Sequence, residues 1–402
     1  MKEALYCDRS KRVKNAKEAP CNLSQAKPTP KQLNLEGWAS GSPKTHRLWG
    51  EVQAGLKFSG RPTSADSHFL SGSSMLPIPI PERQKILYPG RKKRVLVIAG
   101  PTAVGKTALS LSLAAAIGGE IISADSMQVY RGMDVGTAKA LPEERAAITH
   151  HLVDICDLSA IFNVAEFYKQ VQEVFREIMA RENVPIVVGG SGFYIHALLY
   201  GPPQGPPSKP EVREQLEKQM KELGPEVLYE RLQMFDPYYA ASISEYDRHK
   251  IIRALEIMAL SERRVSDFPK QDKLQEQEYD FRCWFLYFSR EKLYERIEKR
   301  CEEMVQKGLI EEVKTLEKMG LRDNPTASQA IGYRQALEFL MSDQKDEDHQ
   351  NFVAAFKRAS KQYSKRQFTW FRKEPLFRWL NIDEHSPERL KELILQDFEQ
   401  GN

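Results

Sequence analysis

The sequence lacks the features of membrane proteins and of disulfide-stabilised proteins. Its 402 residues include no run of about 18 apolar residues, the length that a bilayer-spanning helix requires. Cysteines are few, odd in number and never spaced as C-x-x-C; the five are Cys7, Cys21, Cys156, Cys283 and Cys301. We therefore expect no membrane span, no disulfide framework and no zinc site, and a reducing compartment. No internal repeat is present, which excludes a solenoid.

The charge is distributed unevenly along the chain. The net charge is +4, but residues 1–93 contain 17 basic and 7 acidic residues, whereas the remainder contains 42 and 48. Residues 1–93 also lack helical or strand periodicity and are rich in Ser, Pro, Lys and Gly. This composition predicts a disordered basic extension. It is either a transit peptide for a mitochondrion or plastid, or a plain extension of a cytoplasmic protein.

Residues 94–380 have the pattern of an α/β protein. Short β-branched runs at 94–99, 120–124 and 184–189 alternate with helical segments, which predicts a doubly wound parallel sheet. A Pro- and Gly-rich stretch at 201–210 then marks a boundary, and the segment after it has only helical periodicity. We predict a core of residues 94–204 and 275–380, an all-helical insertion at 205–274 and a C-terminal tail at 381–402.

A glycine-rich loop follows the first strand. The segment Gly100-Pro-Thr-Ala-Val-Gly-Lys-Thr107 matches G-x-x-x-x-G-K-[ST] between a strand and a helix. Glycines let backbone N–H groups point into one concavity, and the helix N-terminus adds partial positive charge. Lys106 supplies a full positive charge, and the Thr107 hydroxyl is suited to ligate Mg²⁺. The loop predicts a polyphosphate site of the P-loop NTPase type.

The acidic residue near this loop is Asp125. Kinases and NTPases usually hold their metal with an acidic residue at the end of a core strand, but the strand at 185–188 is followed by glycines and serine. Asp125 instead follows the second strand, at the sheet edge where open α/β sheets bind ligands. It is either a proton acceptor beside the phosphates or the cap of a turn.

Five blocks along residues 94–380 carry a resemblance to a known family. Besides the phosphate loop they are Ser123–Lys139, Val187–Tyr194, Ala330–Arg334 and Lys365–Arg372. In this order they resemble the tRNA dimethylallyltransferases (tRNA isopentenyltransferases), of the bacterial and plant tRNA-acting type. The resemblance implies a P-loop NTPase-like fold and transfer of a dimethylallyl group to N6 of adenosine 37 beside the tRNA anticodon.

The resemblance also implies the donor and its ligands. The donor is dimethylallyl diphosphate, held with Mg²⁺ at Thr107, and Asp125, Lys106 and Thr107 are the catalytic residues. The implied diphosphate-binding residues are Gly100, Pro101, Thr102, Ala103, Val104, Gly105, Lys106, Thr107 and Arg300. From the residues alone, Arg300 has a second interpretation as a solvated charge on a helix.

A further set of positions corresponds to the family's tRNA contacts. The set is Asp125, Ser126, Met127, Gln128, Ser191, Arg213, His249, Lys250, Ile251, Ile252, Arg253, Gln329, Ala330, Ile331, Gly332, Tyr333, Arg334, Lys365, Arg366, Gln367, Phe368, Thr369, Trp370, Phe371 and Arg372. Ser191 stands where the bacterial pattern usually has Thr, and 249–253 departs from the usual Gln-Arg-Leu-x-Arg. Basic residues interleaved with aromatics in the last block suit phosphate contact and base stacking. We expect a monomer that binds a tRNA anticodon loop and no membrane.

Three alternative functions remain. An adenylate isopentenyltransferase of cytokinin biosynthesis, acting on free AMP, ADP or ATP, would share the phosphate loop and the aspartate. The helical insertion and the Lys365–Arg372 block count against it. A P-loop small-molecule kinase is disfavoured by the missing carboxylate at the strand end. A non-catalytic RNA-binding protein would have no need to keep Lys106, Thr107 and Asp125.

Overall fold

The computed structural model describes residues 93–269 and 278–400. Six strands in this part of the chain form one sheet in the order β3-β2-β4-β1-β5-β6, and every neighbouring pair is parallel. The strands are β1 (Lys93–Ala99), β2 (Gly119–Ala124), β3 (His150–His151), β4 (Val184–Gly189), β5 (Tyr279–Tyr287) and β6 (Phe377–Asn381). The predicted parallel α/β sheet is confirmed. The predicted extension lies outside the described residues, apart from Lys93.

Twelve α-helices connect and cover these strands in the described ranges. They are α1 (Lys106–Ile117), α2 (Pro142–Ala147), α3 (Val164–Ala180), α4 (Gly192–Tyr200), α5 (Pro210–Phe235), α6 (Pro237–Ala240), α7 (Arg248–Ser261), α8 (Arg290–Gln306), α9 (Leu309–Lys318), α10 (Tyr333–Leu340), α11 (Asp346–Phe371) and α12 (Pro387–Gln400). None of them is long and apolar enough to cross a membrane.

Strand β1 lies in the centre of the sheet because its sequence suits burial on both faces. Its residues Arg94–Ala99 are all buried, and successive residues of a strand point to opposite faces. Both faces of the sheet are therefore covered, as the continuous apolar run predicts. The strand pairs with β4 on one side and β5 on the other, so the loops that follow β1 and β4 lie side by side.

Helices α5, α6 and α7 form a unit with its own small hydrophobic core. Helix α5 is interrupted at Gly224, whose φ of +84° and following Pro225 break the helical geometry. The buried residues of this core are Leu216, Met220, Leu228, Leu232, Ala240, Ile251, Ile252, Ala254 and Leu255. No strand lies between residues 201 and 269, in agreement with the helical periodicity of that segment. The limits 205–274 stay a prediction.

The C-terminal segment is a folded part of the core, and its interpretation as a tail is wrong for residues 387–400. Strand β6 pairs with β5, and α12 follows it with Leu390, Ile394 and Phe398 buried. Their four-residue spacing is the apolar stripe of an amphipathic helix. The guanidinium of Arg94 in β1 donates hydrogen bonds to the carbonyl oxygens of Phe398 and Glu399, so α12 is tied to the first strand.

Candidate active site

The phosphate loop connects the end of β1 to the start of α1. Gly105 has a φ of +97°, a left-handed conformation that favours glycine, and it turns the chain directly into the helix at Lys106. The first N–H groups of α1 have no partner within the helix and point towards the loop. The sequence therefore forms an anion-binding concavity at this position, as its spacing predicts.

The Lys106 side chain folds over the loop. Its Nζ donates hydrogen bonds to the carbonyl oxygens of Gly100 and Pro101, both at 2.9 Å. Removal from solvent and, to a lesser extent, the positive charge of Arg300 lower the pKa of Lys106 to about 7, while Asp125 has the opposite effect. A bound anion would favour the protonated form and compete with the two carbonyl groups for it.

Two adjoining cavities extend from this loop. The smaller, of about 150 Å³, is lined by the loop residues from Thr102 to Thr107 together with Ser123 and His150. The larger, of about 280 Å³, is lined by α8, α11 and the segment 329–333. Five residues line both cavities: Thr102, Asp125, Thr137, Arg300 and Tyr363. The phosphate-binding cavity therefore meets the second cavity at a shared wall that contains one acidic and one basic side chain.

Asp125 lies at the carboxyl end of β2, where it takes part in a turn and also faces the cavities. Its Oδ1 accepts a hydrogen bond from the N–H of Met127 at 2.9 Å, and the N–H of Ser126 donates to Ser191 Oγ at 3.1 Å. Asp125 also lines both cavities. Its role in a turn is therefore compatible with a role as proton acceptor. The turn fixes one carboxylate oxygen.

The Gln128 side chain forms hydrogen bonds within the protein, in the wall of the smaller cavity. Its Oε1 accepts a hydrogen bond from Ser123 Oγ at 2.8 Å, and its Nε2 donates to the carbonyl of Thr137 at 3.2 Å. The side chain thereby connects the end of β2 to the segment that contributes Gly136 and Thr137 to the site. Met127, by contrast, lines the larger cavity.

Two arginines one helical turn apart on α8 approach the loop. Arg300 lines both cavities, and removal from solvent lowers its pKa while Asp125 opposes this. Arg296 donates from Nε to the carbonyl of Ala103 at 2.9 Å, and its guanidinium lies 4.9 Å from the ring centre of Phe288. The interpretation of Arg300 as a solvated surface charge is therefore excluded. Sequence reasoning missed Arg296, although its i, i+4 spacing from Arg300 places both on one face.

The block from Gln329 to Arg334 contributes mainly to the wall of the larger cavity. Gln329, Ala330, Ile331 and Tyr333 line it. Tyr333 is buried, and its hydroxyl donates to Glu312 Oε1 at 2.5 Å. Gly332 is buried too, whereas Gln329 and Arg334 are exposed. Tyr333 therefore packs in the wall of the larger cavity, and its contact with RNA stays a prediction.

The carboxylate of Glu312, which accepts the Tyr333 hydroxyl, also binds the backbone of residues 134–136. Glu312 accepts hydrogen bonds from the backbone N–H groups of Asp134, Val135 and Gly136 at 3.1, 2.7 and 3.2 Å. Sequence reasoning did not identify this residue, which the structure places between the segment 134–136 and Tyr333.

Helix α11 separates the predicted RNA contacts by face. Lys365, Arg366, Thr369, Trp370 and Arg372 are exposed, and Phe368 is half-buried. Gln367 and Phe371 are buried, with 4% and 0% of their surface exposed, and their contact with RNA stays a prediction. They continue the buried stripe of Phe356, Ser360 and Ser364 at three- to four-residue spacing, a signal present in the sequence.

Two further lysines of α11 are paired with carboxylates of α8. Lys357 contacts Glu302 at 2.5 Å, and Lys361 contacts Glu298. These two ion pairs partly neutralise the positive charge of α11 in the turns before Lys365. Arg358 is exposed in the same part of the helix, and Lys365 and Arg366 are exposed nearer its C-terminal end.

The predicted RNA contacts in the insertion also include both exposed and buried residues. His249 and Lys250 are exposed at the start of α7, but Ile251 and Ile252 are buried in the small core, and contact of these two residues with RNA stays a prediction. Arg253 donates to Glu256 at 2.7 Å and to the carbonyl of Pro206 at 2.6 Å. Contiguous residues on a helix face different directions, and this block cannot meet one ligand as a whole.

Arg213 also approaches Glu256, which is fully buried. Arg213 bonds Glu217 at 3.0 Å and lies 4.0 Å from Glu256. Glu256 accepts further hydrogen bonds from Ser208 Oγ and from the N–H of Lys209 at 3.0 Å. Burial alone would raise the pKa of Glu256, but the hydrogen bonds from Ser208 and Arg253 outweigh it and the pKa is lower than usual.

The site offers few protein ligands for a metal. Thr107 is exposed at the start of α1, and Asp125 is the carboxylate that lines the phosphate cavity. The described ranges contain no group of three or more His, Cys, Asp or Glu residues with metal-ligand geometry. This donor set fits a Mg²⁺ ion that takes most of its ligands from phosphate and water, and does not fit zinc.

Comparison with known proteins places the chain in a family. The family model for IPP transferase matches residues 128–374. A tRNA dimethylallyltransferase of Protochlamydia amoebophila is 57% identical over 308 residues, which are 77% of this chain and 90% of the relative.

Solved structures agree with this relationship. The tRNA isopentenylpyrophosphate transferase of Bacillus halodurans has a TM-score of 0.55 and 36% identity over 77% of this chain and 98% of that one. A eukaryotic dimethylallyltransferase acting on tRNA has a TM-score of 0.64 and 27% identity, over 76% and 79% of the two chains. The chain therefore belongs to the IPP transferase family, as its resemblance to the tRNA dimethylallyltransferases predicts.

Proposed function

We propose that this protein transfers a dimethylallyl group from dimethylallyl diphosphate to N6 of adenosine 37 in tRNA and releases diphosphate. One observation carries the proposal: a phosphate-binding cavity meets a second cavity at a wall that contains Asp125, Arg300 and Tyr363. A donor whose diphosphate occupies the first cavity would have its reactive carbon at the junction. Membership of the family supports the same reaction.

The phosphate side of the junction suits departure of the diphosphate. As the bond from the allylic carbon to the phosphate oxygen breaks, its electron pair goes to the diphosphate. Lys106, Arg300 and the loop residues from Thr102 to Thr107 line this cavity before the reaction begins. Preorganised donors stabilise the charge that develops on a leaving group more than they stabilise the bound substrate.

The second cavity suits the acceptor. A purine inside a stacked anticodon loop has to be flipped out before an enzyme can reach its edge. As N6 forms its bond to the allylic carbon, the nitrogen loses a proton, for which Asp125 is the acceptor. One Asp125 oxygen is held by the Met127 N–H, which leaves the other for the amine. Orientation of a weak nucleophile contributes a large part of such rate enhancements.

A Mg²⁺ ion is the cofactor that we propose for this site. The Thr107 hydroxyl would hold it together with oxygens of the donor. The ion would supply charge neutralisation at the diphosphate. The small number of protein oxygens suits Mg²⁺, which keeps several waters and commonly binds through substrate phosphates.

The RNA surface that we propose lies on α11 and at the start of α7. Lys365, Arg366 and Arg372 are exposed beside Trp370, whose ring lies 6.1 Å from that of Phe193 in an edge-to-face arrangement. Cations beside exposed aromatics suit a single-stranded loop, because phosphates and unstacked bases are bound together. His249 and Lys250 add positive or polar groups on the insertion.

The decisive experiment supplies the protein with a radiolabelled prenyl donor and either bulk tRNA or AMP. We expect label in tRNA, on the N6 of an adenosine, and none in AMP. Label in AMP alone would establish the adenylate isopentenyltransferase of cytokinin biosynthesis instead. Transfer of a phosphoryl group from ATP to a small molecule would establish the kinase, and binding of tRNA without any transfer would establish the RNA-binding protein.

We further propose that the protein is a monomer and that residues 1–93 direct it to a mitochondrion or plastid. The basic, Ser-containing and acid-poor composition of that segment supports an organelle address. Light scattering of the purified protein tests the first proposal. A fluorescent protein fused after residue 93 tests the second: organelle fluorescence supports it, and cytoplasmic fluorescence contradicts it.

A further inference from the structure

Gln367 connects the proposed RNA-binding helix to the phosphate loop. The residue lies on α11 with 4% of its surface exposed. Its Oε1 accepts a hydrogen bond from the Thr102 N–H at 3.0 Å, and its Nε2 donates one to the Gly190 carbonyl at 3.0 Å. Thr102 follows β1 and Gly190 follows β4, which are neighbouring strands. One buried side-chain amide therefore joins the loops at the ends of two central strands.

The contact leaves little room for adjustment. A Cβ atom on Gly190 would lie 2.2 Å from Gln367 Nε2 and 3.3 Å from the Gly100 carbonyl oxygen. Tyr363, about one turn earlier on α11, donates its hydroxyl to the same Gly190 carbonyl at 3.4 Å and lines both cavities. Helix α11, the phosphate loop and the loop after β4 are thus in close contact.

The residues just before Gln367 on α11 face solvent, whereas Gln367 faces the core. Lys365 and Arg366 are exposed, so their charges are available to phosphates outside the fold. An RNA that fixes these cations also fixes the segment of α11 that bears Gln367. A contact network that two ligands both stabilise couples their binding, and the coupling is reciprocal.

We propose that Gln367 is a positioning residue that makes RNA binding on α11 and diphosphate binding in the phosphate loop mutually dependent. The inference rests on the proposed function, since it takes RNA and a diphosphate as the two ligands. Gln367 borders the phosphate cavity, and because its amide is already bonded to Thr102 and Gly190, it acts through these two residues. Each ligand is expected to raise the affinity for the other by at least about fivefold, the lower end of typical couplings.

The test measures binding without turnover. The affinity for inorganic diphosphate in the presence of Mg²⁺ is measured with and without an anticodon stem-loop RNA, in the wild-type protein and in Gln367→Met. The variant keeps the length of the side chain but loses both hydrogen bonds. We expect the ratio of the two affinities to fall to about 1 in the variant, and diphosphate alone to bind on the order of tenfold more weakly, because two buried polar groups lose their partner.

Gln362→Met is the matched control. Gln362 lies on the same helix and is exposed, so the same chemical change should leave both the affinities and their ratio as in the wild type. Gln367→Asn serves as a second variant, because it keeps an amide that is too short to reach both loops. Thermal melting of each variant separates lost coupling from lost folding, since a merely structural residue would lower Tm and leave the ratio unchanged.

The outcomes distinguish this inference from the proposed function. A wild-type ratio of 1, or a Gln367→Met ratio equal to the wild-type ratio, overturns the role of Gln367 although both ligands bind. If the wild-type protein binds neither diphosphate nor the stem-loop, the proposed function itself fails.

Discussion

The catalytic core and the helical insertion present their functional residues in different ways. In the core, Asp125 and Ser191 lie just after strands and Lys106 lies at the end of the loop that follows β1, at the same edge of the parallel sheet. In the insertion, the candidates lie along helices, where Ile251 and Ile252 are buried. A parallel sheet brings residues that are distant in sequence to one place. A helix separates residues that are adjacent in sequence, because successive side chains are rotated about its axis.

The two regions also treat charge differently. The core leaves Lys106 and Arg300 facing a cavity, and burial lowers the pKa of both. The insertion surrounds one buried carboxylate, Glu256, with hydrogen bonds from Arg253 and from the 206–209 segment. Cations that face a cavity are available to a ligand, whereas the charges around Glu256 are largely satisfied within the protein. The first arrangement suits binding of an anion and the second suits stability.

The largest effect should come from Asp125 in the core. Replacing Asp125 by Ala should reduce transfer ~10²- to 10⁴-fold, the range for loss of a positioned general base, and leave tRNA affinity nearly unchanged. Single-turnover transfer and RNA binding check this. Asp125→Asn keeps an oxygen for the Met127 N–H but cannot take a proton, and it should be as impaired as Ala. Wild-type transfer in Asp125→Asn would refute the carboxylate as the proton acceptor.

The next effect should come from Glu256 in the insertion. Replacing Glu256 by Ala should destabilise α5–α7 by about 3 kcal/mol, because the hydrogen-bond donors around a buried charge lose their partner. Hydrogen exchange should show lost protection in residues 210–261 and unchanged protection in β1, β2 and β4.

A surface carboxylate provides the control for this change. Glu222 is exposed and 3.9 Å from the exposed Lys218, so Glu222→Ala should cost less than about 1 kcal/mol. Equal loss of protection in the sheet and the insertion on replacing Glu256 would mean that the two regions unfold together.

A smaller effect should come from the exposed cations of α11. Replacing both Lys365 and Arg366 by Ala should weaken RNA binding at least about tenfold at low salt and reduce the salt slope by about 1.4, the value for two phosphate contacts with a single strand. Lys357→Ala removes a cation that is already paired with Glu302 and should leave the slope as in the wild type. If the double variant shows the same slope as the wild type and Lys357→Ala, Lys365 and Arg366 do not bind phosphates.

The smallest effect should be the pH dependence of diphosphate binding. The pKa of Lys106 is about 7 in the free protein, so the ammonium is protonated below that pH and loses its proton above it. A bound diphosphate raises this pKa, so the affinity should fall as pH rises through 7–8, by less than about tenfold per unit for one proton. Calorimetry at several pH values measures it.

Lys106→Arg isolates this titration. Arginine keeps its charge throughout the range, so the decline should disappear in the variant, and any ionisation of the diphosphate itself affects both proteins equally. A decline of the same size in Lys106→Arg would assign the pH dependence to another group.

The sequence was most informative where backbone geometry determines the chemistry. The glycine spacing of 100–107 predicts the loop, and the alternation of apolar runs and helices predicts the parallel sheet. It was less informative on helices: the motif at 365–372 predicts one RNA-binding surface, although Gln367 and Phe371 are buried. The three- to four-residue spacing of Ser360, Ser364, Gln367 and Phe371 carries that information.

Other features depend on contacts between distant segments. Glu312 binds the backbone of 134–136. Arg296 binds the Ala103 carbonyl, and β6 pairs with β5 at the edge of the sheet. The secondary-structure propensity of a segment does not predict such contacts, because they depend on which distant segments meet in the fold. A short strand such as β6 has too few residues for its alternation to be distinguished from a loop.

The position of β1 between β4 and β5 has a consequence for biosynthesis. β1 is the first described strand to leave the ribosome, yet its partner β5 follows the whole insertion, and the carbonyl groups that bind Arg94 belong to α12. The insertion, whose small core is assembled from nearby segments, can fold while the sheet is still incomplete. The nascent core must therefore keep an apolar strand half-paired during much of its translation, the period in which chaperone binding would matter most.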